Sequence, residues 1–281
     1  MEFRKLSECA LDDAVLAWNL GFEGYYAPMQ ITNDIFIKRM VQEDLSPELS
    51  IVAYDNGKPV AIVMNGTRVI GNQKVAWNGG TGIAITHRGS GLSSLLMREV
   101  LKIYEGENVE LATLEAIEEN EKAIRLYQKF GYKIDANLLF LEKTSSVNDW
   151  KEAKGYTFET THPEQLSFLS FYNKKVPWQC HYQSVKTGEA MLAYKDRELV
   201  GYALYKRIFN ESGKVEKLNL YQVHSASLEL LPTILKKLHF DSLQPITITA
   251  VNFIASDPVT EYMLTQGFER KVGQVYMTKN I

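Results

Sequence analysis

The spacing of apolar positions along this chain changes period several times. Between positions 11 and 42 apolar residues recur at helical spacing, interrupted by Gly21, Gly24 and Pro28, which predicts two short helices with an irregular link. Residues 49–54 and 59–69 then alternate like strands around Asp55-Asn56-Gly57-Lys58, and Asn-Gly supplies the positive φ that a tight hairpin turn requires. Gly71-Asn72 predicts another turn, followed by strand segments at 74–77 and 79–85, the second entered through Gly79-Gly80-Thr81-Gly82. Glycines there predict a bulge or a close backbone approach. Leu92, Leu95, Leu96, Val100 and Ile103 share one face of a helix, residues 110–115 read as a strand, and 120–130 as a second helix. That second helix has Asn120 as N-cap, Glu121 where the helix dipole favours an anion, and Gly131 at the left-handed position after its end. A strand at 134–142 closes the segment.

The same order returns in the second half. Residues 190–194 and 199–205 match the first hairpin at an offset of 140, pairing Tyr54 with Tyr194 and Val60 with Val200. Leu126-Tyr127-Gln128-Lys129-Phe130-Gly131-Tyr132 matches Tyr262-Met263-Leu264-Thr265-Gln266-Gly267-Phe268 at an offset of 136. Repeats of this length mean duplicated domains, since solenoid periods run roughly 20 to 50 residues. The expected organisation is a domain at 1–143, a linker at 144–155 and a second, degenerate domain at 156–281.

Composition narrows the class without changing this picture. The 281 residues are 45% hydrophobic and 23% charged, which fits packed globular domains and excludes disordered or low-complexity chains. The longest apolar runs, such as 60–64, fall far short of the roughly 18 residues of a membrane span, and the N-terminus turns acidic where a secretory signal would be apolar. A cytoplasmic protein with no membrane partner is expected. Cys9 and Cys180 stand apart and the five histidines form no pair at metal spacing, so neither a disulfide framework nor a metal site is expected. The net charge of −3 argues against nucleic acid as a partner. Residues 1–150 carry 15 Lys+Arg against 21 Asp+Glu, so the negative charge belongs to the first half and would suit a cationic substrate as well as serve solubility.

The sharpest local feature is Arg88-Gly89-Ser90-Gly91-Leu92-Ser93, between a strand and an apolar-striped helix. Small residues admit a ligand close to the backbone, and the free N–H groups at a helix start form an anion cradle. The same glycines also serve a tight strand-to-helix turn. A Walker loop is excluded because no lysine follows the glycines; a dinucleotide GxGxxG would use Gly89, Gly91 and Ser94, with Glu110 or Glu115 further on.

A third pattern fits the whole half. Arg88, Gly91 and Ser93 occupy the places of Arg/Gln-x-x-Gly-x-Gly/Ala, and Asn120, Ala123, Leu126-Tyr127 and Gly131-Tyr132 form a second segment in the right order. Residues 1–143 thereby resemble a domain of the GNAT superfamily of N-acetyltransferases, with Ser93 a departure that keeps the residue small. The resemblance implies an α/β fold: a mixed, twisted sheet flanked by helices, in two tandem copies, splayed between its fourth and fifth strands to receive acetyl-CoA as acyl-donor cosubstrate. It implies that main-chain groups of Ile83, Ala84 and Ile85 pair with pantetheine, and that Gly89, Ser90, Gly91, Leu92 and Ser93 hold the pyrophosphate. Arg88 would serve the phosphates or the loop itself, and Asn120 would bond the cofactor as well as cap its helix.

Tyr127 is the expected catalytic residue, because a phenol near the thioester sulfur can stabilise or protonate the departing thiolate. Ala123, Tyr127 and Phe130 also form an apolar stripe, so core packing is the competing role. The carboxylates Glu115, Glu118 and Glu119 offer a base or a solvated helix entry. Residues 21–29, with Phe22, Glu23, Tyr25 and Tyr26, stand where an acceptor amine, on a small molecule or a peptide, would bind. Laid on the loop at an offset of 137, the second half sets Leu228 opposite Gly91, while Met263 stands opposite Tyr127, so it is expected neither to bind acetyl-CoA in this manner nor to catalyse. The expected activity is direct acetyl transfer to a primary amine, with a non-catalytic acyl-CoA-binding module and a dinucleotide oxidoreductase as rivals and a homodimer left open.

Overall fold

The computed structural model describes residues 1–240 and 244–281. In chain order the first elements are β1 (Glu2–Lys5), α1 (Leu11–Gly21), α2 (Asn33–Glu43), β2 (Ile51–Asp55), β3 (Lys58–Ile70), β4 (Gln73–Ile83), α3 (Leu92–Gly106), β5 (Leu111–Ile117), α4 (Glu121–Lys129) and β6 (Lys133–Ser145). There follow β7 (Tyr156–Thr161), β8 (Glu189–Lys195), β9 (Glu198–Phe209), β10 (Val215–Ser225), α5 (Leu231–Lys237), β11 (Ile246–Ile254), α6 (Pro258–Thr265) and β12 (Glu269–Asn280). The chain divides into a first unit, residues 1–135 with 275–281, and a second unit, residues 136–274.

This division differs from a cut at residue 143. The outer part of β6 pairs antiparallel with β11, from Ser145 opposite Ile246 to Leu138 opposite Ile254. The end of β12 instead belongs to the first unit, where Val275 and Met277 are core residues and Ile281 N donates to Glu110 O at 3.1 Å. Each unit is thus closed by a strand from the other half of the sequence. Residues 144–155, expected as a linker, carry Ser145 and Trp150 into the second unit, where both are buried.

In the first unit β1, β2, β3 and β4 form an antiparallel meander, with a turn at Asn56-Gly57, both at positive φ as the Asn-Gly pair predicts. β4 then pairs parallel with β5, and α3 is the crossover. The core-facing stripe of α3 is Leu92, Leu96, Met97, Val100 and Tyr104, packed with Ala76, Ala112 and Leu114. Leu95, expected on that face, is exposed; the stripe is rotated so that Tyr104 reaches the interior and donates to Asn65 Oδ1 at 2.7 Å. A buried phenol needs such a partner.

The second unit repeats these pairings. β8 and β9 form a hairpin whose register shifts between Ala193 and Tyr194, as that of β2 and β3 shifts between Ala53 and Tyr54. β10 pairs parallel with β11 over four residues, Lys217–Leu220 with Thr247–Ala250, and β4 pairs with β5 over four, Val75–Asn78 with Leu111–Leu114. Duplicated bulges and duplicated four-residue ladders make the sequence repeat a repeat of fold.

Candidate active site

Past Asn78 and Leu114 the ladder between β4 and β5 stops, although β4 runs on to Ile83 and β5 to Ile117. A β-bulge in β4, between the pairs Met64–Gly80 and Asn65–Asn78, redirects the strand there. The glycines of this stretch also admit α1. A Cβ on Gly80 would come within 2.8 Å of the Trp18 ring, one on Gly82 within 2.9 Å of Phe22, and one on Gly21 within 2.6 Å of the Gly82 backbone.

The loop after β4 is held by Arg88. Its Nε donates to Ile83 O at 2.9 Å, and its Nη2 to Gly21 O and Glu23 O at 3.0 Å each. Of the two roles open to Arg88, the geometry gives the loop: the guanidinium fork ties β4 to the end of α1. Ser90 Oγ closes the turn by donating to His87 O at 2.7 Å. Gly89 and Gly91 both have positive φ, and a Cβ on either would meet open space. Gly91 precedes α3, a fifteen-residue helix with no side-chain N-cap. An uncapped helix start with open space before it is a cradle for an anion. Leu92 can offer only its main chain, since its side chain is buried in the core.

The expectation for Ile83, Ala84 and Ile85 is corrected in part. Ile83 O is taken by Arg88, Ala84 N donates to Val60 O at 2.8 Å, Ala84 O accepts from His87 N, and Ile85 O from Arg88 N. These groups are spent on the turn, so the strand edge left by the splay is the part of β4 just past Asn78.

α4 brings Tyr127 to that edge. The phenol is buried, lies near Thr81, and is pushed up to about 12 by loss of water. Thr81 is itself fixed by Asn78 Nδ2, which donates to its Oγ1 at 2.9 Å. Thr81, hidden among glycines, is a site residue that sequence reasoning did not single out. Asn120 Oδ1 accepts from Ala123 N at 3.2 Å, the expected cap, and Tyr25 lies near its side chain. Tyr26 donates to Glu119 O at 3.3 Å. Residues 25 and 26 thus reach the start of α4, with Trp18, Phe22, Tyr25 and Tyr26 in consecutive ring contact. Glu115 lies within β5, not at a helix entry, and its Oε2 accepts from Trp77 Nε1 at 2.7 Å. Among the described residues no cluster of three His, Cys, Asp or Glu could hold a metal, and no helix is long and apolar enough to cross a membrane.

The second unit departs from this geometry in its loop as well as in its side chains. Ala226 N donates to Val200 O as Ala84 N does to Val60 O. From these matched bonds four residues lead to α5, against seven to α3. The loop is shortened, which corrects the alignment of Leu228 with Gly91; the residue before α5 is Leu230, buried in the core. Val223 faces Ala203 across the hairpin as Thr81 faces Val63, so Tyr127 and Thr81 are replaced by Met263 and Val223.

Residues 16–132 match the family model described as acetyltransferase (GNAT) family. No curated protein sequence matches the chain. Among solved structures the chain is similar to a GCN5-related N-acetyltransferase from Sphaerobacter thermophilus, at 14% identity and a TM-score of 0.67, over 99% of this chain and 95% of that one. Another such protein, from Anabaena variabilis, matches at 15% identity and a TM-score of 0.66, over 99% of this chain and 72% of that one. A tandem GNAT protein from the clavulanic acid biosynthesis pathway matches at 12% and 0.65, over 99% of this chain and 98% of that one. At these identities the likeness is one of fold.

Proposed function

We propose, from the premise that residues 16–132 form a domain of the acetyltransferase (GNAT) family, that the first unit transfers acetyl from acetyl-CoA directly to a primary amine. The family match supports acyl transfer; the acetyl donor, the amine acceptor and the direct route are what this proposal adds to it. The observation that carries the reading is the Tyr127 phenol, buried near Thr81 beside the edge that β4 opens past Asn78.

The loop and the splay divide the donor between them. Gly89 to Ser93, ahead of the uncapped α3, suits the pyrophosphate, and the open edge of β4 suits the pantetheine amides as an added strand. Attack of the amine nitrogen on the thioester carbonyl carbon forms the C–N bond; the C–S bond then breaks and its electron pair goes to sulfur. Tyr127, at about 12, stays protonated through neutral pH and donates a hydrogen bond to that developing charge. Full proton transfer to sulfur would run uphill, because a thiol ordinarily titrates near 8.5. Stabilisation of the leaving thiolate is therefore the stronger role for Tyr127, and the proton that the amine nitrogen gives up as the amide forms passes through water to the thiolate. The acidic first half, with Glu23 beside Tyr25 and Tyr26, favours an acceptor that is cationic before it loses its proton.

Free-thiol release from acetyl-CoA over a panel of small amines, polyamines and peptides tests this reading. Tight CoA binding without turnover on any amine would favour a binding module, and saturable dinucleotide binding without CoA binding would favour an oxidoreductase.

A further inference from the structure

The second unit has lost the glycine loop and the tyrosine but has kept a splay. β10 and β11 stop pairing after Leu220 and Ala250, and a cavity of about 390 Å³ lies where they part. That volume is within the range of small-molecule sites. Two buried side chains in its wall are incompletely used. Asn252 is 2% exposed and donates through Nδ2 to Gln179 Oε1 at 3.3 Å, but its Oδ1 has no partner among the described residues. Thr260, fully buried, has an Oγ1 with no partner among the described residues. Buried oxygens are normally satisfied, and two left over in one cavity wall are acceptors available to a donor. Asn252 also sits at positive φ within the register shift of β11, between Ala250 and Phe253.

The remaining lining sets the sign and the shape. Asp257 is the one carboxylate there, and neither lysine nor arginine lines the cavity among the described residues. His224, in ring contact with both Phe171 and Tyr202, is held below its ordinary value by burial and is neutral at pH 7. Val223, Phe253 and Val259 give the wall an apolar side. Without the loop that would cradle phosphate, and with a carboxylate in the wall, an acyl-CoA is a poor match. A cation with an apolar body matches both sides.

We propose that the second unit binds an amphipathic primary amine, its ammonium set against Asp257 and the free oxygens of Asn252 and Thr260, its body against Val223, Phe253 and Val259. With Met263 and Val223 where the first unit has Tyr127 and Thr81, the amine is held and not acylated. The site is independent of transfer in the first unit and stands whether or not that reading does.

Calorimetry on the full chain tests it with 2-phenylethylamine, its neutral analogue 2-phenylethanol and its acidic analogue phenylacetate. The amine should bind about tenfold more tightly than the alcohol, and the acid more weakly than either. Asp257→Asn should abolish the preference for amine over alcohol while leaving α6 capped, since Asn caps as well as Asp. Thr260→Val should weaken amine binding several-fold, with unchanged thermal unfolding as the control for both variants. Gly91→Val, in the other unit, should leave amine binding as it is, and so should saturating free CoA, which carries no acetyl group to transfer. The proposal is overturned by equal binding of amine and alcohol, by no saturable binding, or by amine binding that survives Asp257→Asn and is lost on Gly91→Val or displaced by free CoA.

Discussion

The phenol of Tyr127, on α4, lies near Thr81, on β4, three positions after β4 and β5 have stopped pairing. Burial there keeps the phenol protonated through neutral pH, the state in which a phenol can donate to a leaving thiolate. Tyr127→Phe keeps the ring contact with Tyr132, 6.0 Å between centroids, and removes only the hydroxyl. Turnover should fall by about tenfold or more with acetyl-CoA affinity nearly unchanged, measured by steady-state thiol release and calorimetry. Equal turnover would reduce Tyr127 to packing.

Gly91→Val should weaken acetyl-CoA binding by at least about tenfold, or about 1.4 kcal/mol. The new side chain would occupy the open space before α3 and strain a residue at φ +86. Calorimetry reads the affinity, and an unchanged Kd would remove the loop from the cofactor site.

Arg88 separates charge from geometry. Lys keeps the positive charge but has no planar fork to reach Ile83, Gly21 and Glu23 together. If the fork is what matters, Arg88→Lys and Arg88→Ala should weaken CoA binding alike. Full affinity in the lysine variant, with a steeper loss in salt, would show that Arg88 acts on phosphate instead.

Gly21→Ala tests the approach of α1 to β4. A methyl at Gly21 would stand 2.6 Å from Gly82 backbone atoms, too close for either main chain to yield cheaply. The expected loss is about 1–3 kcal/mol, read from the urea midpoint of unfolding. A neutral substitution would mean that the two backbones part without cost.

Alkali should unfold the protein in a defined window. Tyr127, Tyr202 and Tyr205 are each raised by burial from 10 to about 12. Between those values the unfolded chain has released protons that the folded chain still holds, so stability falls as pH rises. Below pH 10 these groups are protonated in both states and contribute no slope. Each tyrosine costs up to roughly 2–3 kcal/mol by the top of the window. Urea midpoints should be level with respect to these groups up to about pH 9 and drop steeply above 10; a level midpoint to about pH 11 would contradict the burial.

Much of the site was legible because local chemistry marks it. Asn-Gly at 56–57, Asn120 before α4 and Gly91 before α3 each announce a backbone geometry that few other residues adopt. The approach of Thr81 to Tyr127 and of Tyr25 to Asn120 was not legible, since these pairs are distant in sequence and no periodicity reports a contact across a fold. Leu95 misled because a helical stripe about one residue wide of the true face scores nearly as well. The loop of the second unit misled for another reason: a constant offset assumes no deletion, and only the matched bonds of Ala84 and Ala226 reveal that three residues are missing.

By itself the sequence determined the duplication, the order of elements, the glycine loop and the tyrosine, because turns, caps and amphipathic periods are set by neighbours along the chain. The tertiary structure decided which strand closes each unit, that Arg88 grips main chain, that Tyr127 faces Thr81, and that the second unit keeps a cavity lined by Asn252, Asp257 and Thr260. Those outcomes depend on which groups meet after the chain has packed, and burial, which fixes their hydrogen bonds and proton affinities, exists only then.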